Sequence, residues 1–310
     1  MIVMQLPKSI GAVFPPSLRL WALPLVTAVL ILVNLFWDGL DSMQGTMLAA
    51  VFIAVAGIPH GTLDAEIAAS HFGKSSFVGK AKIIAAYAAC ALVMVYLWSV
   101  AQEFALTSFL IISIVHFGRD WRGSADPFLA MMVGWALVTL PALSRPQEVA
   151  AIFEILTGNE VGSTIAALVA CASVPAVLGS LVFAYWTYTH DDPQSTVDVI
   201  ACIIAALFLP PLAAFAVFFC GLHSPRHLVE ALSEAGPISL AKKLGVIATV
   251  SALSLALGVA LYVSADSASI DAGIIRAAFV LISTLTVPHF ILEYLTSKRT
   301  AFSETQPVSS

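Results

Sequence analysis

The chain has 310 residues, 59% of them hydrophobic and 11% charged, with a net charge of −5 and a mean hydropathy of +0.95. A soluble domain carries about 25% charged residues, so this composition excludes a water-facing globule. The apolar runs are continuous, which excludes a β-barrel of alternating strands, and with no basic cluster nothing suggests nucleic acid as a partner.

The expected fold is all-α: a polytopic transmembrane helical bundle of about nine to ten spans, forming a single domain over residues 19–297. Residues 1–18 form an N-terminal segment with no cleavage pattern ahead of a full-length apolar run, so Arg19 to Trp37 reads as a signal anchor. The second run, Met47 to Pro59, ends in Gly57-Ile-Pro-His-Gly-Thr-Leu-Asp64, where Pro59 and Gly61 break the helix. Irregular backbone is tolerated at membrane depth where it lines a site or cavity. Spans three to five are Ile83 to Val100, Phe104 into Ile114-Val-His-Phe-Gly-Arg-Asp-Trp121, and Pro127 to Leu143. A more polar stretch follows, with a short amphipathic helix around Val149 to Leu156, and then the sixth span, Ser163 to Tyr188.

Pro210 and Pro211 interrupt the next apolar stretch, which is either one long kinked span or two short ones. Positive charge arbitrates, because Lys and Arg favour cytoplasmic loops. With the N-terminus inside, the loops bearing Lys74 to Lys82 and Arg119 to Arg122 fall inside. Two spans rather than one also place Lys242, Lys243, Lys298 and Arg299 inside, giving ten crossings. The last spans are Leu244 to Val263 and Ala272 to Leu295, followed by a polar tail, 298–310, expected to be disordered. Cys90, Cys171, Cys202 and Cys220 have no metal-like spacing and read as small core residues.

Five of the seven histidines lie in or against apolar runs: His60, His116, His223, His227 and His289. Each pairs with a polar residue at four-residue spacing: His60 with Asp64, His116 with Asp120, His223 with His227, and His289 with Glu293. Residues four apart share a helix face, and a metal-bound imidazole commonly gives its other N–H to a carboxylate. The pattern therefore reads as three ligand-and-orienter pairs and one pair of ligands, suited to iron, zinc or copper. Intramembrane ionisable groups usually mark a functional site; the plainer alternative is hydrogen bonding between packed helices. His71 and His190 sit in polar segments and read as surface residues, and Arg226 as a partner for Glu230 or for the interface. Aromatic residues beside the histidines could line a slot for a long, flat, apolar substrate.

Pro59-His60-Gly61 with Asp64, His116-Phe117-Gly118 with Asp120, His223-Ser224 with Arg226-His227, and Pro288-His289 follow one another in this order. Together they resemble the Brp/Blh family, integral membrane β-carotene dioxygenases of bacteria and archaea associated with retinal-requiring rhodopsins. The resemblance implies cleavage of β-carotene at its central double bond by O2 to give two all-trans-retinal, within the lipid of the cell inner (plasma) membrane. It implies Fe(2+) held by His60, His116, His223 and His227, with Asp64, Asp120, His289 and Glu293 around the ligands. Phe117, Trp121, Phe219, Phe290 and Tyr294 are then expected to line the substrate, and a retinal-binding rhodopsin to be a functional partner.

Rival readings fit less well. An intramembrane metal or proton transporter using the same His/Asp cluster predicts polar residues along whole spans, whereas here they gather near helix breaks. A b-type haem needs only two axial histidines, and membrane di-iron enzymes need more closely spaced ones. A photoreceptor needs a mid-span Schiff-base lysine, and Lys8, Lys74, Lys80, Lys82, Lys242, Lys243 and Lys298 all lie outside span centres.

Overall fold

The computed structural model describes residues 16–304 except 75, 266 and 268, with side chains described for 20–297 other than 38 and the same gaps. The expected N-terminal segment up to residue 15, with Lys8, and the end of the tail, 305–310, lie outside the described residues, as do the side chains of Arg19, Lys298 and Arg299. Among the described residues the protein is all-helical, with no strand and one isolated bridge, between Arg122 and Ala125.

The helices begin where the sequence supplies caps. Ser42, Ser76, Asp126, Asp192 and Ser239 each accept a backbone N–H of the first turn with their side chains, satisfying a donor that has no intrahelical partner. Pro127, Pro146, Pro193 and Pro211 open α6 (Pro127–Ser144), α7 (Pro146–Thr157), α9 (Pro193–Phe208) and α10 (Pro211–Phe218), where the missing N–H is no loss. The expected amphipathic helix is α7, closed by Gly158 at φ 74°, a left-handed conformation that favours glycine.

Among the described residues seven helices are long and apolar enough to cross a membrane: Met43–His71, Phe77–Val100, Pro127–Ser144, Val161–Thr189, Pro211–Glu234, Leu240–Ser264 and Ile270–Ser297. The protein is a membrane protein. The sequence led to nine to ten spans; the further three are present as helices but are not among the seven. Leu20–Phe36 within α1 (Pro16–Phe36) and α9 are apolar but shorter, and α5 (Gln102–Arg119) carries Glu103, His116 and Arg119 in its end turns. The last helix, α13 (Ile270–Glu304), continues past the expected boundary at 298.

The chain reverses at Pro210. Leu209 is extended (φ −97°, ψ 157°), as a residue before proline prefers. Asp198 on α9 pairs with Arg226 at 2.6 Å, yet a straight helix would separate residues 28 positions apart by roughly 40 Å. The segment after Pro211 must therefore fold back along α9, as the two-helix reading of this stretch expected. Arg226 makes this ion pair rather than one with Glu230, and its guanidinium lies 5.8 Å from the centre of the Trp121 ring.

Small residues let the helices near the histidines approach closely. A Cβ on Gly134 of α6 would collide with the backbone of Gly118 on α5, two residues beyond His116. Small-residue contacts of this kind are a common way for membrane helices to pack. Between α6 and α8 (Val161–Thr189), Ser173 and Ser180 donate across the interface to Thr139 O at 2.8 Å and Met132 O at 3.1 Å. Trp98 Nε1 on α4 (Phe77–Val100) donates to Ser283 Oγ at 2.6 Å, anchoring α13 beside it.

Candidate metal centre

The five histidines arrive from four separate stretches. α2 (Met43–Gly57) tightens into a 3-10 turn over Ile58–Gly61, which carries His60. Gly57 is needed there, because a Cβ would strike the Phe219 ring. The His60 Nδ1 turns back onto Gly57 O of its own turn. His116 lies one turn before the end of α5, which stops at Arg119. Between α10 and α11 (Ser224–Glu234), the backbone widens into a π-helical turn, Phe219–His223. Such turns are frequent at functional sites; this one ends on His223 and leaves His227 one turn into α11. His289 follows Pro288 within α13.

These rings form one cluster. Among the ring pairs in contact, centroid separations run from 4.4 Å for His223 and His227 to 6.3 Å for His227 and His289. His116 and His223 are 1% and 0% exposed, and His289 is 7% exposed. The closest approach is between His116 Nε2 and His223 Nε2, at 3.2 Å. Five rings from four stretches of chain thus meet in one place.

The carboxylates reach the cluster, but not by the expected partners. Asp64 accepts from His289 Nδ1 at 2.7 Å, not from His60. Asp120 divides its two oxygens between His223 Nδ1 at 2.7 Å and His227 Nε2 at 2.9 Å, not His116. Glu293 Oε2 lies 3.1 Å from His116 Nδ1, off ideal hydrogen-bond alignment, while its other oxygen accepts from Arg119 Nε at 2.9 Å. Each expected within-helix pair is thus exchanged for one between separate stretches. The reason is local: His60 sits in a 3-10 turn, which breaks the four-residue register, and Asp120 lies beyond the last residue of α5. Asp64 instead takes the Nδ1–H of His289, which leaves Glu293 facing His116 although His289 and Glu293 share one continuous helix.

This wiring has a chemical consequence. A carboxylate beside Nδ1 is satisfied only by a protonated Nδ1, so a neutral ring keeps its lone pair on Nε2. The hydrogen bond to Asp120 puts His223 in that state; with Glu293 beside His116 Nδ1, the same tautomer in His116 would set two Nε2 lone pairs facing each other across 3.2 Å. Two such lone pairs repel unless a cation holds them. Metal–imidazole bonds of about 2.1 Å meeting at right angles would put two nitrogens about 3 Å apart. His60, His116 and His223 each offer a nitrogen within 4.8 Å of the others, as do His116 and His289 with Glu293. The donor set, imidazoles oriented by carboxylates, fits a divalent transition metal.

A family model described as Beta-carotene 15,15'-dioxygenase matches residues 51–296. The chain belongs to that family. Among curated proteins it is 29% identical over 255 residues to the beta-carotene 15,15'-dioxygenase of uncultured marine bacterium 66A03, covering 79% of this chain and 91% of that protein. No solved structure matches. Its family is one of carotenoid-cleaving dioxygenases, and the matched span contains all five clustered histidines and their three carboxylates.

Beside the cluster is an apolar cavity of about 90 Å³, bounded by α2, α5, α6, α7, α10 and α13. Of the five aromatic residues expected to line a substrate, Phe117 alone borders it; its ring also lies 5.1 Å from that of His223. Trp121 is buried against Phe183 and Arg226. Phe219 stacks on His223 with centroids 5.2 Å apart, so it backs the imidazole. Phe290 packs edge-on to His116, and the Arg119 guanidinium lies over the rings of Phe290 and Tyr294. Lining residues missed by sequence reasoning include Phe109, Ile152, Phe153 and Phe215. For Ile152 and Phe153 the amphipathic pattern of α7 was the visible signal, since it marked an apolar face with something to cover.

His71 and His190 are apart from the cluster. His71 Nδ1 faces Ile67 O of its own helix, α3 (Asp64–His71), and exposed His190 stacks on Trp186. The four cysteines are free thiols.

Proposed function

We propose that this protein is a β-carotene 15,15′-dioxygenase that holds Fe(II) on its buried imidazoles and splits the central double bond of β-carotene with O2. Family membership supports the activity. The metal rests on one observation, the 3.2 Å approach of His116 Nε2 to His223 Nε2 on buried rings whose Nδ1 atoms face carboxylates. The balanced reaction breaks one C=C bond and places one atom of O2 on each half, giving two molecules of all-trans-retinal. Bound iron supplies the redox chemistry that lets dioxygen react with a polyene.

The protein's own groups bind, orient and exclude water. Asp64, Asp120 and Glu293 fix ring orientation and tautomer. The rings of Phe117, Phe218 and Phe219 pack around His223 and keep water from it. Along α5 the cavity wall runs from Phe109 to Phe117, about 12 Å at helical rise. That length suits the conjugated arm between a central double bond and an end ring, which would bring the central bond to the histidines. A substrate dissolved in lipid explains why the cluster lies at membrane depth.

We further read α1, α5 and α9 as additional crossings, ten in all, in the plasma membrane, with the histidine end on the cytoplasmic side by the positive-inside rule. A retinal-binding rhodopsin is the natural consumer of the product. The test is expression in β-carotene-producing cells: loss of orange colour and extractable retinal are expected, and carotenoid left intact at wild-type protein levels refutes the activity.

A further inference from the structure

We propose that His289, and not His227, completes the ligand set with His60, His116 and His223, and that His227 is a positioning residue acting through Asp120. The inference rests on the metal reading above and deepens it.

Four rings share one wiring. Their Nδ1 atoms each face a different group: Gly57 O for His60, Asp120 for His223 and Asp64 for His289 in hydrogen bonds, and Glu293 for His116 at 3.1 Å, out of line. Each therefore keeps Nε2 for the centre of the cluster. In His116 and His223 these atoms face each other. In His289 the Nε2 is buried and has no hydrogen-bond partner, although its ring lies 5.0 Å from that of His60 and 5.2 Å from that of His116. Buried polar atoms without partners are rare and call for a physical account; a metal ion supplies one.

His227 is wired differently. Its Nε2 is bound to Asp120 Oδ1 at 2.9 Å, and its Nδ1 faces Glu230 at 3.9 Å. Both nitrogens are turned toward carboxylates, and its side chain is 18% exposed against 0% for His223. Ligation through Nε2 would require it to abandon Asp120. Left where it is, His227 holds one Asp120 oxygen while the other holds His223. The four-residue spacing of His223 and His227 thus serves a shared carboxylate.

The test uses the full-length protein in detergent micelles, loaded anaerobically with ferrous iron and freed of excess. Iron per chain is measured by mass spectrometry, and site geometry by the EPR spectrum of the nitric-oxide adduct. His289→Gly is expected to lose iron by more than 100-fold in affinity and to regain it with added imidazole, which separates a lost ligand from a misfolded chain. His227→Gly is expected to lose about 10- to 100-fold, the range for residues behind a ligand, and to keep the wild-type spectrum when loaded. The assignment is overturned if His289→Gly binds iron as wild type does, or if imidazole refills His227→Gly but not His289→Gly. Wild-type protein that binds no iron sinks the metal reading and this assignment together, whereas loaded wild type with an intact His289→Gly site sinks the assignment alone.

Discussion

Asp120 offers the sharpest test of how the centre is held together. Its side chain is 3% exposed, and its two oxygens take His223 Nδ1 at 2.7 Å and His227 Nε2 at 2.9 Å. Asp120→Ala leaves the Nδ1–H of fully buried His223 with no acceptor, a loss of about 1–3 kcal/mol for an unsatisfied buried donor. The freed ring can also rotate, and removing such an orienter lowers metal affinity by about 10- to 100-fold. Asp120→Asn should be milder. Its amide oxygen can still accept from His223, while His227 can shift its proton to Nδ1 and accept from the amide N–H. We therefore expect iron affinity to fall in the order wild type, Asn, Ala, with about tenfold at the first step. Iron titration of purified protein, alongside thermal unfolding, reads both effects. The reasoning is refuted if Asp120→Ala binds iron and unfolds as wild type does, or if Asn is the worse of the two.

Other outcomes follow from separate parts of the fold. Leu110→Trp, which fills the cavity wall away from the imidazoles, should lower retinal formation more than tenfold with iron content unchanged; loss of iron would show that cavity and cluster are not separable. Arg226→Ala strands Asp198, which is 1% exposed. Breaking a fully buried pair costs about 3–5 kcal/mol, and because Arg226 is 31% exposed we expect about 2 kcal/mol, recovered largely by adding Asp198→Ala and measured by denaturation in micelles. His71→Ala and His190→Ala should each leave iron content and retinal yield within about twofold, since neither ring meets the cluster and surface changes are usually small. Cleavage under 18O2 should put one labelled oxygen on each retinal, read by mass spectrometry with exchange into water controlled; unlabelled aldehyde in both halves would contradict a dioxygenase.

The sequence by itself determined the class of molecule and where its chemistry would lie. Apolar runs of bilayer length force helices, because backbone groups in lipid must satisfy one another. Proline and glycine at 59–61 and 210–211 announced the breaks, and four of the five histidines stood beside helix breaks or ends. Which carboxylate serves which ring was not legible there, although four-residue spacing suggested an answer. That spacing restricts geometry only inside a continuous α-helix, and the 3-10 turn at His60 and the end of α5 before Asp120 remove the condition. Only the packed bundle could place Asp64 against His289, Asp120 between His223 and His227, and Glu293 against His116. The cavity is tertiary for the same reason. Its walls are single faces of six helices, and no one stretch of chain carries the space they leave between them.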